Sequence, residues 1–183
     1  HVLPCGVWLK SDTAASARAA DKLKDFRFKL AIFDSTTAYN IFQTEETLSE
    51  FLLCVLRELK AHKDWGAVLK PKIKADYHAL PRGREIMDLL DGLRAEGRLF
   101  STEWSGSAIA AGQGADLAAC YGVNTAGLLA AVFGSRAIHW DASGWKKNPI
   151  YRDPGQNMVF SELKDFKQAQ GIPLKAPKYR DQI

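Results

Sequence analysis

Residues 115–145 read ADLAACYGVNTAGLLAAVFGSRAIHWDASGW, and this stretch decides the fold. Its pattern predicts a buried strand, a polar turn, a small-residue helix closed by a glycine, and a second strand, over residues 115–122, 124–127, 128–134 and 136–140. A strand, a helix and a second strand within about thirty residues make one βαβ unit with parallel strands. The stretch therefore predicts a parallel sheet with a helix packed on it.

The polar turn of this unit has the residues that suit a ligand. Asn124 or Thr125 can cap the helix, and Gly127 leaves room for a ligand to approach the backbone of the first turn. Free N–H groups and the positive end of the helix dipole favour an anion there, commonly a phosphate. The same residues also fit an ordinary capped helix between two strands, so both interpretations stay open.

The rest of the chain continues the alternation of strands and helices. Further strands are predicted over residues 28–33, 65–70, 98–101 and 158–160. Helices are predicted over residues 44–63, 83–96 and 161–168, with a small-residue helix or loop over 105–111. This order predicts an α/β fold, a Rossmann-like three-layer αβα sandwich with a mostly parallel sheet. That fold class does not by itself specify a function.

Length and composition bound the domain organisation. With 183 residues, of which 46% are hydrophobic, the chain can bury one substantial core. We place a Rossmann-like domain at residues 28–170, after an N-terminal lead-in strand and helix at 1–27 and before a C-terminal strap or linker at 171–183. The first residue is His1, which leaves open whether the chain is a processed piece of a longer protein.

Polar side chains follow two of the predicted strands. Asp34 and Ser35 come directly after the first strand, and ligands of open parallel sheets bind at the carboxyl ends of strands. Asp34 fits equally well as a cap of its own loop. Lys70, Lys72 and Lys74 stand at the end of the next strand. Clustered ammonium groups suit the binding of a phosphate or carboxylate. A run of lysines that is simply exposed to solvent would show the same sequence pattern, so both interpretations stay open.

Charge and cysteine usage exclude several classes of protein. The net charge of +4 is dispersed without a polybasic arm, which argues against nucleic acid and leaves open a weak attraction to anionic lipid. Cys54 and Cys120 lie in apolar runs, which indicates reduced, buried thiols in an intracellular protein. Scattered histidines without CxxC or HExxH spacing argue against a metal site. No apolar run reaches the roughly 18 residues of a membrane span.

Four segments share their order with one known family: FKLAIFD at 28–34, VLKPK at 68–72, ADLAACYGVNTAGLLAAVFG at 115–134, and residues 136–141 with NMVF at 157–160. In this order they resemble the C-terminal, donor-binding half of GT-B glycosyltransferases. The likeness is to the bacterial enzymes of capsule and surface polysaccharide biosynthesis, including the Kdo transferases. It spans about residues 28 to 165.

The resemblance implies roles for residues at the strand ends. In the family, the helix start holds the donor phosphate, here Asn124, Thr125, Ala126 and Gly127. The lysine-bearing strand end supplies positive charge nearby, here Lys70 and Lys72. By position, the nucleotide or sugar of the donor would lie near Asp34, Ser35, Asp141 and Trp145. No catalytic residue follows from the resemblance.

The chain departs from the family in two respects. Many relatives have a glutamate two residues after the glycine, where it contacts donor hydroxyls, and here that residue is Leu129. GT-B enzymes also react donor and acceptor between two Rossmann-like domains, and the general base usually comes from the other domain. This chain has room for one such domain, so a second domain or chain is an expected partner.

The resulting hypothesis is a cytoplasmic, metal-independent donor-binding domain of a hexosyl- or Kdo-type glycosyltransferase, active at or near the inner face of the membrane. Its partners would be a nucleotide sugar as substrate, with no other cofactor, and a glycan or glycolipid acceptor. Two alternatives stay open. One is a noncatalytic, degenerate transferase-like module that binds a partner or a glycan, and the other is a nucleotide-sugar epimerase-like enzyme.

Overall fold

The computed structural model describes residues 21–37, 43–72, 76–103, 105–143 and 158–170. Predictions for residues 1–20 and 171–183, and for Lys74 and Trp145, lie outside these ranges. The elements follow in the order β1 (Phe28–Phe33), α1 (Glu45–Ala61), β2 (Trp65–Lys70), α2 (Gly83–Ala95), β3 (Leu99–Ser101), α3 (Ala108–Gly112), β4 (Leu117–Tyr121), α4 (Thr125–Val132), β5 (Arg136–Trp140), β6 (Val159–Phe160) and α5 (Leu163–Gln170).

The strands form one six-stranded sheet in the order β3-β2-β1-β4-β5-β6, and every pairing is parallel. β1 is central and pairs with β2 on one side and β4 on the other. Parallel strands need a crossover between them, which the intervening helices provide. The prediction of a Rossmann-like α/β fold is confirmed, and the strand order is the one of that fold.

Both faces of the sheet are covered, because alternate residues of each buried strand point to opposite sides. Leu30 and Ile32 face a core that α1, α2 and α5 close. Ala31 and Phe33 face a second core that α3 and α4 close together with Leu23, which is 2% exposed. The three layers of the predicted sandwich are therefore helix, sheet and helix.

Helix α1 forms for the reasons that the sequence indicated. Thr44 is its N-cap, and Thr44 and Thr47 satisfy each other's backbone amides in a capping box. Glu45 and Glu46 follow in the first turn, where the helix dipole favours acids. The predicted apolar face is fully buried and comprises Leu48, Phe51, Leu52, Val55, Leu56 and Leu59.

Helix α4 begins at Thr125, earlier than the Leu128 start that its small-residue run predicted. The Asn124 side chain accepts a hydrogen bond from the Gly127 amide at 3.0 Å, so the predicted turn is the first turn of the helix. The preceding strand is shorter than its apolar run, because Gly122 takes φ +66° and turns the chain.

One further boundary was wrong. Helix α5 begins at Leu163, two residues after the predicted start at residue 161, and the Ser161 carbonyl instead accepts a hydrogen bond from the Trp140 indole at 3.2 Å. Residues 77–82 contain a 3₁₀ turn, Tyr77–Ala79, with Asp76 as its cap. Isolated sequence patterns do not show such contacts, since they join distant parts of the chain.

Candidate functional site

The carboxyl ends of β1 and β4 lie side by side where the strand order reverses. After β1 the chain continues to β2 and β3 on one side, and after β4 it continues to β5 and β6 on the other. The connections that leave β1 and β4 therefore diverge and leave a crevice between them. Open α/β sheets bind their ligands at this switch point.

Two helices begin at this crevice, and both are joined to Tyr121, the last residue of β4. The Tyr121 hydroxyl contacts the Thr47 hydroxyl and donates to the Thr44 carbonyl at 3.1 Å, which fixes the start of α1. The Tyr121 carbonyl accepts from the Asn124 carboxamide at 3.3 Å, which fixes the start of α4. The amino ends of α1 and α4 thus flank the crevice.

The two helix starts differ in their capacity for an anion. Helix α1 has a complete capping box, with Glu45 and Glu46 in its first turn, so its positive end is already neutralised. Helix α4 has no acidic residue in its first turn. The amides of Thr125 and Ala126 have no hydrogen-bond partner among the described residues. The Glu45 and Glu46 amides of α1 likewise have no partner among the described residues, so what distinguishes α4 is that no acidic side chain surrounds its open donors.

A buried histidine lies directly beneath the first turn of α4. His139 is 0% exposed, and its Nδ1 lies 3.0 Å from the Gly122 carbonyl oxygen. Burial lowers the pKa of His139, and the Gly122 carbonyl and the Asp141 carboxylate oppose that shift. The neutral ring therefore donates from Nδ1, and Nε2 is left as an acceptor.

The Nε2 atom of His139 is buried and has no hydrogen-bond partner among the described residues. It lies 2.9 Å from the position that a Cβ atom on Gly127 would take, and Cys120 Sγ lies 2.5 Å from the same point. Buried polar atoms normally have partners, so this Nε2 is an acceptor that the described residues leave unsatisfied. No local sequence pattern singles out His139, although it is a polar residue within the apolar run at 136–140.

Lys70 belongs to the same row of the sheet as this histidine. The Cα partners run Lys70, Phe33, Cys120 and His139 across β2, β1, β4 and β5. Residues in register point to the same face, so Lys70 lies on the α4 side of the sheet, about 10 Å from Cys120 at the usual strand spacing. Lys70 is 8% exposed and donates to the Pro71 carbonyl at 2.8 Å. Burial lowers the pKa of Lys70, and the Asp34 carboxylate counteracts it.

Asp34 lies on the opposite face of the sheet, where its carboxylate links the end of β1 to Lys72 and Tyr77. Its carboxylate accepts from the Lys72 amide and, at 2.6 Å, from the Tyr77 hydroxyl. It is 5% exposed. Burial raises the pKa of Asp34 to about 6, although Tyr77, the Lys72 amide and the ammonium groups of Lys70 and Lys72 act in the other direction. In this structure Asp34 anchors the segment that follows β2.

We expect Asp34→Asn to change how stability depends on pH. A carboxyl group with a raised native pKa stabilises the fold below its unfolded value near 4, and that contribution is lost as the pH rises through about 6. Asparagine can still accept from the Lys72 amide and does not ionise. Wild-type stability relative to Asp34→Asn should therefore fall by about 2 kcal/mol between pH 4 and pH 7.

Urea unfolding of both proteins at several pH values measures this difference. His139 acts in the opposite direction, because its lowered pKa destabilises the fold as the pH falls below about 6.5. It is present in both proteins, so its contribution cancels in the comparison. Parallel pH profiles for the two proteins would contradict the raised pKa of Asp34.

The other predicted site residues lie around this edge. Ser35 is half-buried, and Lys72 is exposed. Asp141 is 6% exposed and accepts from the Ser143 amide at 3.1 Å. Leu129 lies half-buried on α4. The structure thus brings Lys70 and residues 124–127 to one face of the carboxyl edge, while Asp34 is on the other.

Within the described ranges, no group of three or more histidine, cysteine, aspartate or glutamate side chains is placed to hold a metal ion. None of the described helices combines the length and apolar character needed to cross a bilayer. No protein-family model, no curated protein and no solved structure matches this chain. What this chain does must therefore be inferred from the site itself.

Proposed function

We propose that this domain binds the phosphate of a nucleotide sugar at the start of α4, as the donor-binding part of a glycosyltransferase. The observation that carries the proposal is the open first turn of α4 at the switch point, with the unpartnered His139 Nε2 beneath it. The Thr125 and Ala126 amides would donate to phosphate oxygens. A neutral histidine adds no charge beneath these donors.

The charge distribution supports a diphosphate over a single carboxylate. Lys70 lies on the same face as α4 and supplies a cation on the far side of β1. A ligand with two anionic groups can contact the helix start with one group and approach Lys70 with the other. The resemblance to donor-binding halves of GT-B enzymes, carried by residues 115–134 and 68–72, supports a nucleotide diphosphate as that group.

Thr125→Pro tests the proposal because it removes one open amide and preserves the helix. Thr125 is the first helical residue, where proline is well tolerated, and Asn124 has the extended backbone that a following proline requires (φ −132°, ψ 156°). We expect the affinity for the best-bound of UDP, CDP and CMP to fall about 10-fold or more, since a hydrogen bond to a charged group is lost. Titration calorimetry measures the change.

Thr125→Ala is the matched control, because it removes the hydroxyl and keeps the amide. It should retain most of the affinity, while the melting temperatures of both variants stay close to the wild type. Equal affinities for Thr125→Pro and wild type would contradict phosphate binding at this helix. Lys70→Ala should weaken binding of a diphosphate more than binding of CMP.

A noncatalytic binding module is the second candidate, and one surface feature favours it. Leu128 and Val132 are 36% and 67% exposed, and they lie one turn apart on α4. Among the described residues they are the large hydrophobic side chains that remain exposed. Failure of wild-type protein to bind UDP, CDP, CMP or pyrophosphate, with an intact fold, would favour this module over the transferase domain.

A further inference from the structure

Gln43 reaches across the crevice to the end of β4. It immediately precedes Thr44, the N-cap of α1, and it is half-buried. Its side-chain Nε2 lies 1.8 Å from the position that a Cβ atom on Gly122 would take, so the carboxamide rests on the bare backbone of Gly122. Gly122 also has φ +66°, a conformation that other residues rarely adopt. This close approach depends on a glycine at residue 122.

The Gln43 carboxamide makes no hydrogen bond to any of the described residues. It has two N–H donors and one carbonyl acceptor. A half-buried amide with no protein partner is satisfied by water or by a ligand. The backbone beneath it is held in place, because the Gly122 carbonyl accepts from His139 and the Gly122 amide donates to Trp140. Gln43 therefore presents an unused polar group on a rigid support.

The location relates Gln43 to the proposed phosphate site. Gly122 lies two residues before Asn124, the N-cap of α4. Gln43 is thus next to the helix start but on the α1 side of the crevice, and its carboxamide has no charge. An uncharged group with both donors and an acceptor suits the neutral hydrogen-bonding parts of a nucleotide better than the phosphate itself.

We propose that Gln43 is a specificity-determining contact, whose carboxamide hydrogen-bonds an uncharged polar group next to the bound phosphate, either a nucleobase edge or a ribose hydroxyl. This inference rests on the proposed phosphate site at α4. It assigns recognition of the uncharged part of the nucleotide to the end of the β1–α1 connection, which the sequence patterns did not single out.

The test compares wild type with Gln43→Met, which keeps the length of the side chain and removes its hydrogen-bonding groups. The probes are inorganic pyrophosphate, ribose 5-phosphate, UMP and CMP, and calorimetry gives each affinity. We expect the affinity for UMP or CMP to fall about 3- to 10-fold, as for loss of one neutral hydrogen bond, with pyrophosphate affinity unchanged. Gln43→Ala repeats the comparison if the methionine variant does not fold.

The ribose 5-phosphate result identifies the group that is contacted. If Gln43→Met lowers the affinity for ribose 5-phosphate as well as for the nucleotides, the contact is to a ribose hydroxyl. If it lowers the affinity for the nucleotides alone, the contact is to the base. Unchanged affinities for all probes, or an equal fall with pyrophosphate, would overturn the role of Gln43 while the phosphate site stands. Wild-type protein that binds none of the probes would instead refute the phosphate site itself.

Discussion

Replacing Arg98 with methionine is expected to lower the free energy of unfolding by about 3–5 kcal/mol. Arg98 is 6% exposed, and its guanidinium donates to the carbonyls of Leu59 and His62 at the end of α1 and to the Trp65 carbonyl at 3.2 Å. The last carbonyls of a helix have no partners within it. Methionine fills similar space but leaves the buried Leu59 carbonyl without this donor and removes two charge-assisted hydrogen bonds, to the Trp65 carbonyl and to the His62 carbonyl, which keeps the Trp65 amide. Each of these losses costs about 1–3 kcal/mol.

Arg94→Met is the matched control for this variant. Arg94 is exposed and bonds Asp91 and Ser101, both at 3.0 Å, so its loss should change stability by less than about 1 kcal/mol. Urea unfolding followed by circular dichroism measures both variants. If the two arginine variants unfold at the same urea concentration, Arg98 does not cap α1 as described.

Gly127→Ala is expected to destabilise the protein by about 1–3 kcal/mol and to abolish the anion binding that we propose at α4. The added Cβ would lie 2.5 Å from both Cys120 Sγ and His139 Cε1. Both of those side chains are 0% exposed and stand on central strands, so they cannot move away without disturbing the core. The first turn of α4 must shift instead, and its open amides shift with it.

Gly92→Ala provides the comparison, because it makes the same change inside another helix. The nearest atom to its new Cβ is Lys60 Nζ, the end of a flexible side chain, at 3.9 Å. Alanine there should stabilise the protein by about 0.5–1 kcal/mol, as expected for a helix interior. Thermal or urea unfolding gives both values. Similar effects from the two substitutions would contradict the tight contact of α4 with β4 and β5.

Strands were the best-predicted elements, because consecutive residues determine them. The apolar runs at residues 28–33, 65–70 and 136–140 have the bounds of β1, β2 and β5. The alternation of such runs with amphipathic helices was sufficient to predict a parallel sheet with helices on both faces. Element ends were less predictable, since the start of α4 depends on which side chain accepts the first free amide.

Most of the candidate site required contacts between distant residues. The residues around α4 were predicted because they are contiguous. Asp34 bonds Tyr77, 43 residues further along the chain, which no local pattern shows. Gln43 meets Gly122 only because β1 and β4 are neighbours in the sheet. His139 lies under α4 because its strand pairs in register with Cys120.

The sequence by itself determined which segments are strands and helices and that both sheet faces are buried, because apolar periodicity is a property of neighbouring residues. The tertiary structure decided the order of the strands, and with it the meeting of Gln43, Lys70, Gly122 and His139 at one edge of the sheet. The physical reason is that strand order follows from how the helices pack on the two faces. That packing depends on many contacts between residues that are far apart in the chain.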